Sequence, residues 1–162
     1  AKLAGATTIL AAGREGRLAA ATDFGATCAV ALTGEALTAE VRERTNGRGA
    51  DVVIVAVGDL TLANQALELA AIGGRVNYFA GFPKGKTASI DPNLIHYREL
   101  AVTGGSNARR ADVRRAVELL SSGALDVGRL VTHRFPLAEL DAAVTAVARR
   151  DGLKVAVMPA AG

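Results

Sequence analysis

Tryptophan is absent from the sequence and cysteine occurs once, at Cys28. A single thiol excludes a disulfide within the chain, and its place in the apolar run Thr27-Cys28-Ala29-Val30-Ala31-Leu32 predicts a buried, inert side chain and a reducing, cytoplasmic setting. The two histidines, His96 and His133, are far apart, and Cys28 has no His, Cys or carboxylate at ligand spacing, so a zinc site inside this chain is not expected. Neither a G-x-S-x-G elbow nor a G-x-x-x-x-G-K-[ST] loop occurs. No stretch approaches the ~20 apolar residues of a membrane span, and the N-terminus lacks the basic-then-apolar order of a signal peptide. Nucleic acid is an equally poor partner. The 19 Lys+Arg exceed the 16 Asp+Glu by three, and the doublets Arg109-Arg110, Arg114-Arg115 and Arg149-Arg150 are scattered, without interleaved aromatics. Solvated helix faces are the expectation for them.

What is present is a globular composition. Half of the 162 residues are hydrophobic and 22% are charged, and a chain of this length can bury a sizeable core as one folded domain. It opens with Ala1-Lys2-Leu3-Ala4-Gly5 and no initiator Met, which fits a piece of a longer protein.

Short β-rich runs alternate with amphipathic stretches, the mark of parallel βαβ units. Strands are expected at 7–12, 28–32, 51–57, 75–79, 100–103, 130–135 and 153–158. The run 51–57 is the most apolar and β-branched in the chain, which predicts a central strand buried on both faces. Helices are expected at 15–24, at 36–45, from Leu62 through Ala70 up to Gly73-Gly74, and from Val113 through Leu120 up to Ser121-Ser122-Gly123. Asp91-Pro92-Asn93 should open a short helix through Tyr97, and Leu137, Leu140, Val144 and Val147 form one more helical stripe.

In open parallel sheets ligands bind beyond the carboxyl ends of the strands. Four such ends are small or glycine-rich, as close backbone approach to a ligand requires: Ala12-Gly13-Arg14, Ala56-Val57-Gly58, Phe79-Ala80-Gly81 and Gly104-Gly105-Ser106-Asn107. Glycines that merely end strands are the plainer reading; four of four favour a ligand. Asp91 and His96, five apart, lack a third group to orient them as an acid/base pair.

The segments Gly47-Arg48-Gly49-Ala50-Asp51-Val52-Val53, Gly74-Arg75-Val76-Asn77-Tyr78-Phe79, Gly81-Phe82-Pro83-Lys84-Gly85, Ile90-Asp91-Pro92-Asn93-Leu94-Ile95-His96-Tyr97-Arg98-Glu99 and Thr132-His133-Arg134-Phe135-Pro136-Leu137, in this order, resemble the C-terminal half of the medium-chain zinc-dependent alcohol/polyol dehydrogenases, and among these the iditol/sorbitol branch. Members of that family begin with a zinc-bearing catalytic domain and enter a Rossmann fold through a strand and a G-x-G-x-x-G turn. The likeness places Ala1 to Gly5 at the end of the helix after that turn. It thus implies a doubly wound parallel α/β sheet lacking its first strand, with 1–128 a truncated dinucleotide-binding domain and 129–162 a return segment that packs on the catalytic domain. Zinc and the proton relay would lie outside this chain, which would carry no catalytic or metal-binding residue and be inactive alone.

The resemblance also implies a cofactor geometry. NAD-preferring relatives place an acidic residue where Ala12 stands, and here Ala12 is followed by Gly13 and Arg14, with Arg17 one turn later. Loss of the carboxylate and gain of arginines favour the 2′-phosphate of NADP over NAD. Val57 and Gly58 would flank the adenosine half, Phe79, Ala80 and Gly81 the nicotinamide ribose and ring, and Ser106 and Asn107 the nicotinamide ribose. Polyol dehydrogenases usually carry bulkier residues and an arginine at this last place, so Ser106-Asn107, with Arg109 displaced, departs from their pattern. The implied activity is hydride transfer between a small polyol or secondary alcohol and the nicotinamide, in a cytoplasmic homo-oligomer, dimer or tetramer. A nucleotide-binding or assembly module without catalysis is the alternative. A methyltransferase fits less well, because it too favours an acidic residue at Ala12 and needs a glycine-rich loop. The missing strand would be central in the sheet order, and its two bare neighbours should either close up or recruit another chain.

Overall fold

A computed structural model describes residues 1–8, 10–13 and 15–159. They divide into two compact units, Ala1–Asn107 and Ala108–Gly162. The first unit alternates strand and helix throughout: β1 (Leu10–Ala12), α1 (Glu15–Leu18), β2 (Cys28–Val30), α2 (Gly34–Arg44), β3 (Ala50–Val55), α3 (Leu62–Leu69), β4 (Ala70–Tyr78), α4 (Pro92–Tyr97) and β5 (Ala101–Gly104). Every strand pair is parallel, as expected of βαβ units. β1 pairs only with β2, whereas β3, β4 and β5 form a second sheet in that order. Among the described residues no ladder joins the two sheets, so the edges of β1 and β3 have not closed on each other.

The core lies between the second sheet and α3. Ala63, Ala66, Leu67 and Ala70 recur at helical spacing and are buried, the last three against Val55, Val76 and Leu100. Leu67 and Val76 are fully enclosed. Burial of one such side chain contributes roughly 1.5 to 3 kcal/mol. The turn that feeds β3 needs its glycine: Gly49 has φ +92°, and a Cβ there would lie 2.9 Å from the carbonyl oxygens of Leu69 and Ala70. Thr45 steadies this turn, its Oγ1 accepting from the Gly49 amide at 2.8 Å. Across the unit, the buried Gln65 of α3 donates to the Gly34 carbonyl at the start of α2 at 2.6 Å.

Several expectations need correction. β3 is buried on one face only: Val53 and Val55 pack inward while Val52 and Ile54 are 56% and 58% exposed, because no described element covers that side of the sheet. The helix expected up to Gly73-Gly74 stops at Leu69, and β4 begins at Ala70, where Ala70 pairs with Ala50 ahead of an irregularity in the ladder. Sheet pairing here overrides the local glycine signal. Cys28 is half-buried rather than enclosed, since β2 belongs to a sheet of two strands. The first strand and helix are also shorter than 7–12 and 15–24, and Ile9 lies outside the described residues. By contrast α4 starts as read: Asp91 caps it by accepting from the Asn93 amide, with Pro92 in the first turn.

The second unit contains α5 (Arg110–Ser121), β6 (Val131–Pro136), α6 (Leu140–Arg149) and β7 (Lys154–Met158), with β6 and β7 parallel. Its buried positions on α6 are Ala143 and Ala146. The larger residues of the sequence stripe, Leu137, Leu140, Val144 and Val147, are exposed instead, as are Val113, Val117 and Leu120 of α5. Small side chains let α6 approach its two strands closely. Among the described residues no helix is long and apolar enough to cross a membrane.

Candidate functional site

The carboxyl ends of β3, β4 and β5 are flush. Val55, Tyr78 and Gly104 are register partners across the three strands, so the turns that follow leave the sheet at one level. Hydrogen bonds then tie those turns together. The Val55 carbonyl accepts from the amides of Phe79 at 3.1 Å and Ala80 at 3.0 Å, and the Tyr78 carbonyl accepts from Gly105 at 3.2 Å. Gly58, after β3, sits against the Gly81 carbonyl, after β4, so closely that a Cβ at position 58 could not be accommodated.

Of the residues singled out in the sequence, Val57, Gly58, Phe79, Ala80, Gly81, Ser106 and Asn107 therefore lie on three neighbouring turns at one end of one sheet. Asn107 holds a left-handed φ of 60°, which asparagine tolerates better than most residues. Ala12 and Gly13 end β1, in the other sheet, where the Gly13 amide donates to the Val30 carbonyl at 3.2 Å. Arg17 is exposed on α1. Arg14 lies outside the described residues.

Beside these turns the surface is apolar and open. Val57 is 56% and Phe79 66% exposed, and a Cβ on Gly81 or Gly104 would meet nothing within 4 Å. Bare backbone next to an exposed ring and a branched aliphatic side chain suits a flat, partly apolar ligand with hydrogen-bonding edges. A dinucleotide fits that description. Among the described residues no group of three or more His, Cys, Asp or Glu side chains could hold a metal ion. Asp91 caps α4 and the His96 ring lies edge-on to Tyr97 at 4.7 Å, so the two serve separate local roles.

Sequence reasoning missed the groups that brace the site. Asp59, just after Gly58, accepts from the Thr61 hydroxyl at 2.7 Å and the Thr61 amide at 3.0 Å, and those two bonds, the hydroxyl first, hold its carboxyl below the usual range. Asn77 donates to Thr103 Oγ1 at 2.9 Å across β4 and β5. Tyr78 donates to the Ala63 carbonyl at 2.6 Å, and burial raises its pKa. Asn77 within β4 was the one visible signal, since asparagine is depleted in strands. A small cavity of about 230 Å³, lined by Lys2, Ala6, Thr7, Thr22, Gly25, Ala26 and Thr27, lies at the opposite, amino ends of β1 and β2 and takes no part in this site.

Residues 1–122 match the family model described as zinc-binding dehydrogenase. The L-threonine 3-dehydrogenase of Bacillus licheniformis is 32% identical over 161 residues, which cover 98% of this chain and 46% of that protein. An oxidoreductase/dehydrogenase of unknown specificity from Escherichia coli superposes with a TM-score of 0.89 at 27% identity, over 99% of this chain and 46% of its own. A putative zinc-binding dehydrogenase from Sinorhizobium meliloti, its structure bound to NADP, superposes with a TM-score of 0.85 at 30% identity, over 98% of this chain and 47% of its own. The chain thus spans about half the length of the relatives it matches.

Proposed function

The chain belongs to the zinc-binding dehydrogenase family, and from that membership we propose that it is the nicotinamide-cofactor platform of an enzyme that oxidises a small polyol or secondary alcohol. The flush ends of β3, β4 and β5, with their turns hydrogen-bonded together beneath an apolar, glycine-lined opening, are the observation that carries this reading. When bound, the nicotinamide ring supplies the hydride acceptor. The residues here bind and orient it: Val57 and Gly58 along the adenosine half, Phe79, Ala80 and Gly81 against the nicotinamide ribose and ring, and Ser106 and Asn107 near that ribose. Zinc and the proton relay belong to sequence outside 1–162. So does the substrate pocket.

We further assign NADP as the preferred cofactor, because Ala12 offers no carboxylate to a ribose diol while Arg14 and Arg17, two and five residues later in the sequence, offer cationic donors to a 2′-phosphate. Residues 1–128 then form the truncated nucleotide domain and 129–162 the segment that returns to the catalytic domain, in a cytoplasmic homo-oligomer. Fluorescence titration of the purified chain with NADPH and NADH tests the cofactor reading. Weak but saturable binding, tighter for NADPH, is expected, since the glycine-rich pyrophosphate turn of the family is not in this sequence. Failure of both to bind would overturn it.

A further inference from the structure

Tyr78 stands where the three turns of the site meet, although its side chain points away from the opening. Its phenol hydroxyl donates to the Ala63 carbonyl in the first turn of α3 at 2.6 Å. Its ring packs edge-on against Phe82, with centroids 5.7 Å apart and planes at 64°. Both rings rest on the core beneath the sheet. Through its main chain the same residue accepts from the Gly105 amide at 3.2 Å and so holds the start of the β5 turn. The β4 turn is therefore clamped at both ends, by Tyr78 before Phe79 and by the Tyr78–Phe82 contact after Gly81. Between the clamps, Gly81 lies against Gly58, leaving no slack for that turn to move toward the sheet.

We propose that Tyr78 is a positioning residue for the dinucleotide: its hydroxyl strut to α3 and its edge contact with Phe82 keep the β4 and β5 turns at the level the nicotinamide half requires. The inference deepens the cofactor reading above and rests on it. Tyr78 touches no ligand itself. Its hydrogen bonds and ring contact act directly on the turns after β4 and β5, so binding of the adenosine half, received by the β1 and β3 turns, depends on it far less. A residue that served stability alone would weaken both halves together.

The test uses Tyr78→Phe, which keeps the ring and removes the strut, and Phe82→Leu, which keeps the strut and removes the edge contact. Dissociation constants of the full 162-residue chain are measured for NADPH and NADH, and for their adenosine halves 2′,5′-ADP and 5′-AMP, with thermal unfolding recorded alongside. In Tyr78→Phe the Kd for the dinucleotides should rise about tenfold, the equivalent of one weakened polar anchor. The adenosine halves should lose less than about twofold. Phe82→Leu should move the dinucleotides in the same direction, and it carries the test alone if Tyr78→Phe does not fold. Equal losses for dinucleotide and adenosine half, or unchanged dinucleotide affinity in the folded variants, would overturn the positioning role while leaving the cofactor reading intact. No dinucleotide binding by the unsubstituted chain would overturn both.

Discussion

In the proposed reading, the choice between NADP and NAD turns on single side chains at positions 12 to 17. Replacing Arg14 by Ala removes a donor fork that we assign to the 2′-phosphate, and a hydrogen bond to a charged group is worth about 1.5 to 3 kcal/mol. The ratio of specificity constants for NADP and NAD in the full-length enzyme should fall accordingly; an unchanged ratio would show that Arg14 does not meet the phosphate. Gly58 sets the other residue-scale constraint. In Gly58→Ala the new methyl meets the backbone carbonyl of Gly81, which cannot swing aside like a flexible side chain. Chemical denaturation should show a loss of about 1 to 3 kcal/mol, the usual range for overpacking, and dinucleotide binding should weaken with it.

Helix α3 is supported at its C-terminus by a side chain from elsewhere in the chain and just before its N-terminus by a local one. At its C-terminus Arg98, which follows α4, donates from one guanidinium nitrogen to the carbonyls of Leu67, Glu68 and Ala70 at 3.1, 2.9 and 3.0 Å. Helix C-termini leave carbonyls without intrahelical partners, and a cation there also complements the helix dipole. Arg98→Ala should therefore lower the denaturation free energy by about 1.5 to 3 kcal/mol, more than truncation of an exposed arginine such as Arg114. Near its N-terminus the Asp59 carboxyl is held down by Thr61, and a group whose folded pKa is depressed adds stability that is present above the unfolded value of 3.8 and lost as pH falls through the folded one. Thr61→Val should return the Asp59 pKa toward 3.8, read by carboxyl-carbon NMR. The acid-side difference in stability between the two proteins should vanish once both carboxyls are protonated.

At the scale of the molecule, the open edges of β1 and β3 dominate. Among the described residues β3 is an edge strand of its sheet, and its exposed Val52 and Ile54 add apolar surface beside that edge. Such strands template pairing with another chain unless charge or proline blunts them. Size-exclusion chromatography of the chain should show concentration-dependent association, and Val52→Lys, on the uncovered face, should reduce it; a monodisperse monomer at all concentrations would argue that the edge is protected.

The order of strands and helices follows from the sequence alone, because alternating apolar periods and turn residues such as Asn46-Gly47 act within a few positions of each other. The cap of α4 by Asp91 and the small residues after each strand are equally local, so the candidate turns could be named before their geometry was seen. Burial was not legible in this way. Val52 and Ile54 read as core but are exposed, and Leu140 and Val144 face outward while Ala143 and Ala146 are buried, because which face is covered depends on elements distant in sequence. The supports of the site were hidden for the same reason. Tyr78 finds Ala63 fifteen residues away and Arg98 finds Leu67 thirty-one away, and only the tertiary fold, by stacking α3 on the sheet and setting Val55, Tyr78 and Gly104 in register, decides that these groups meet.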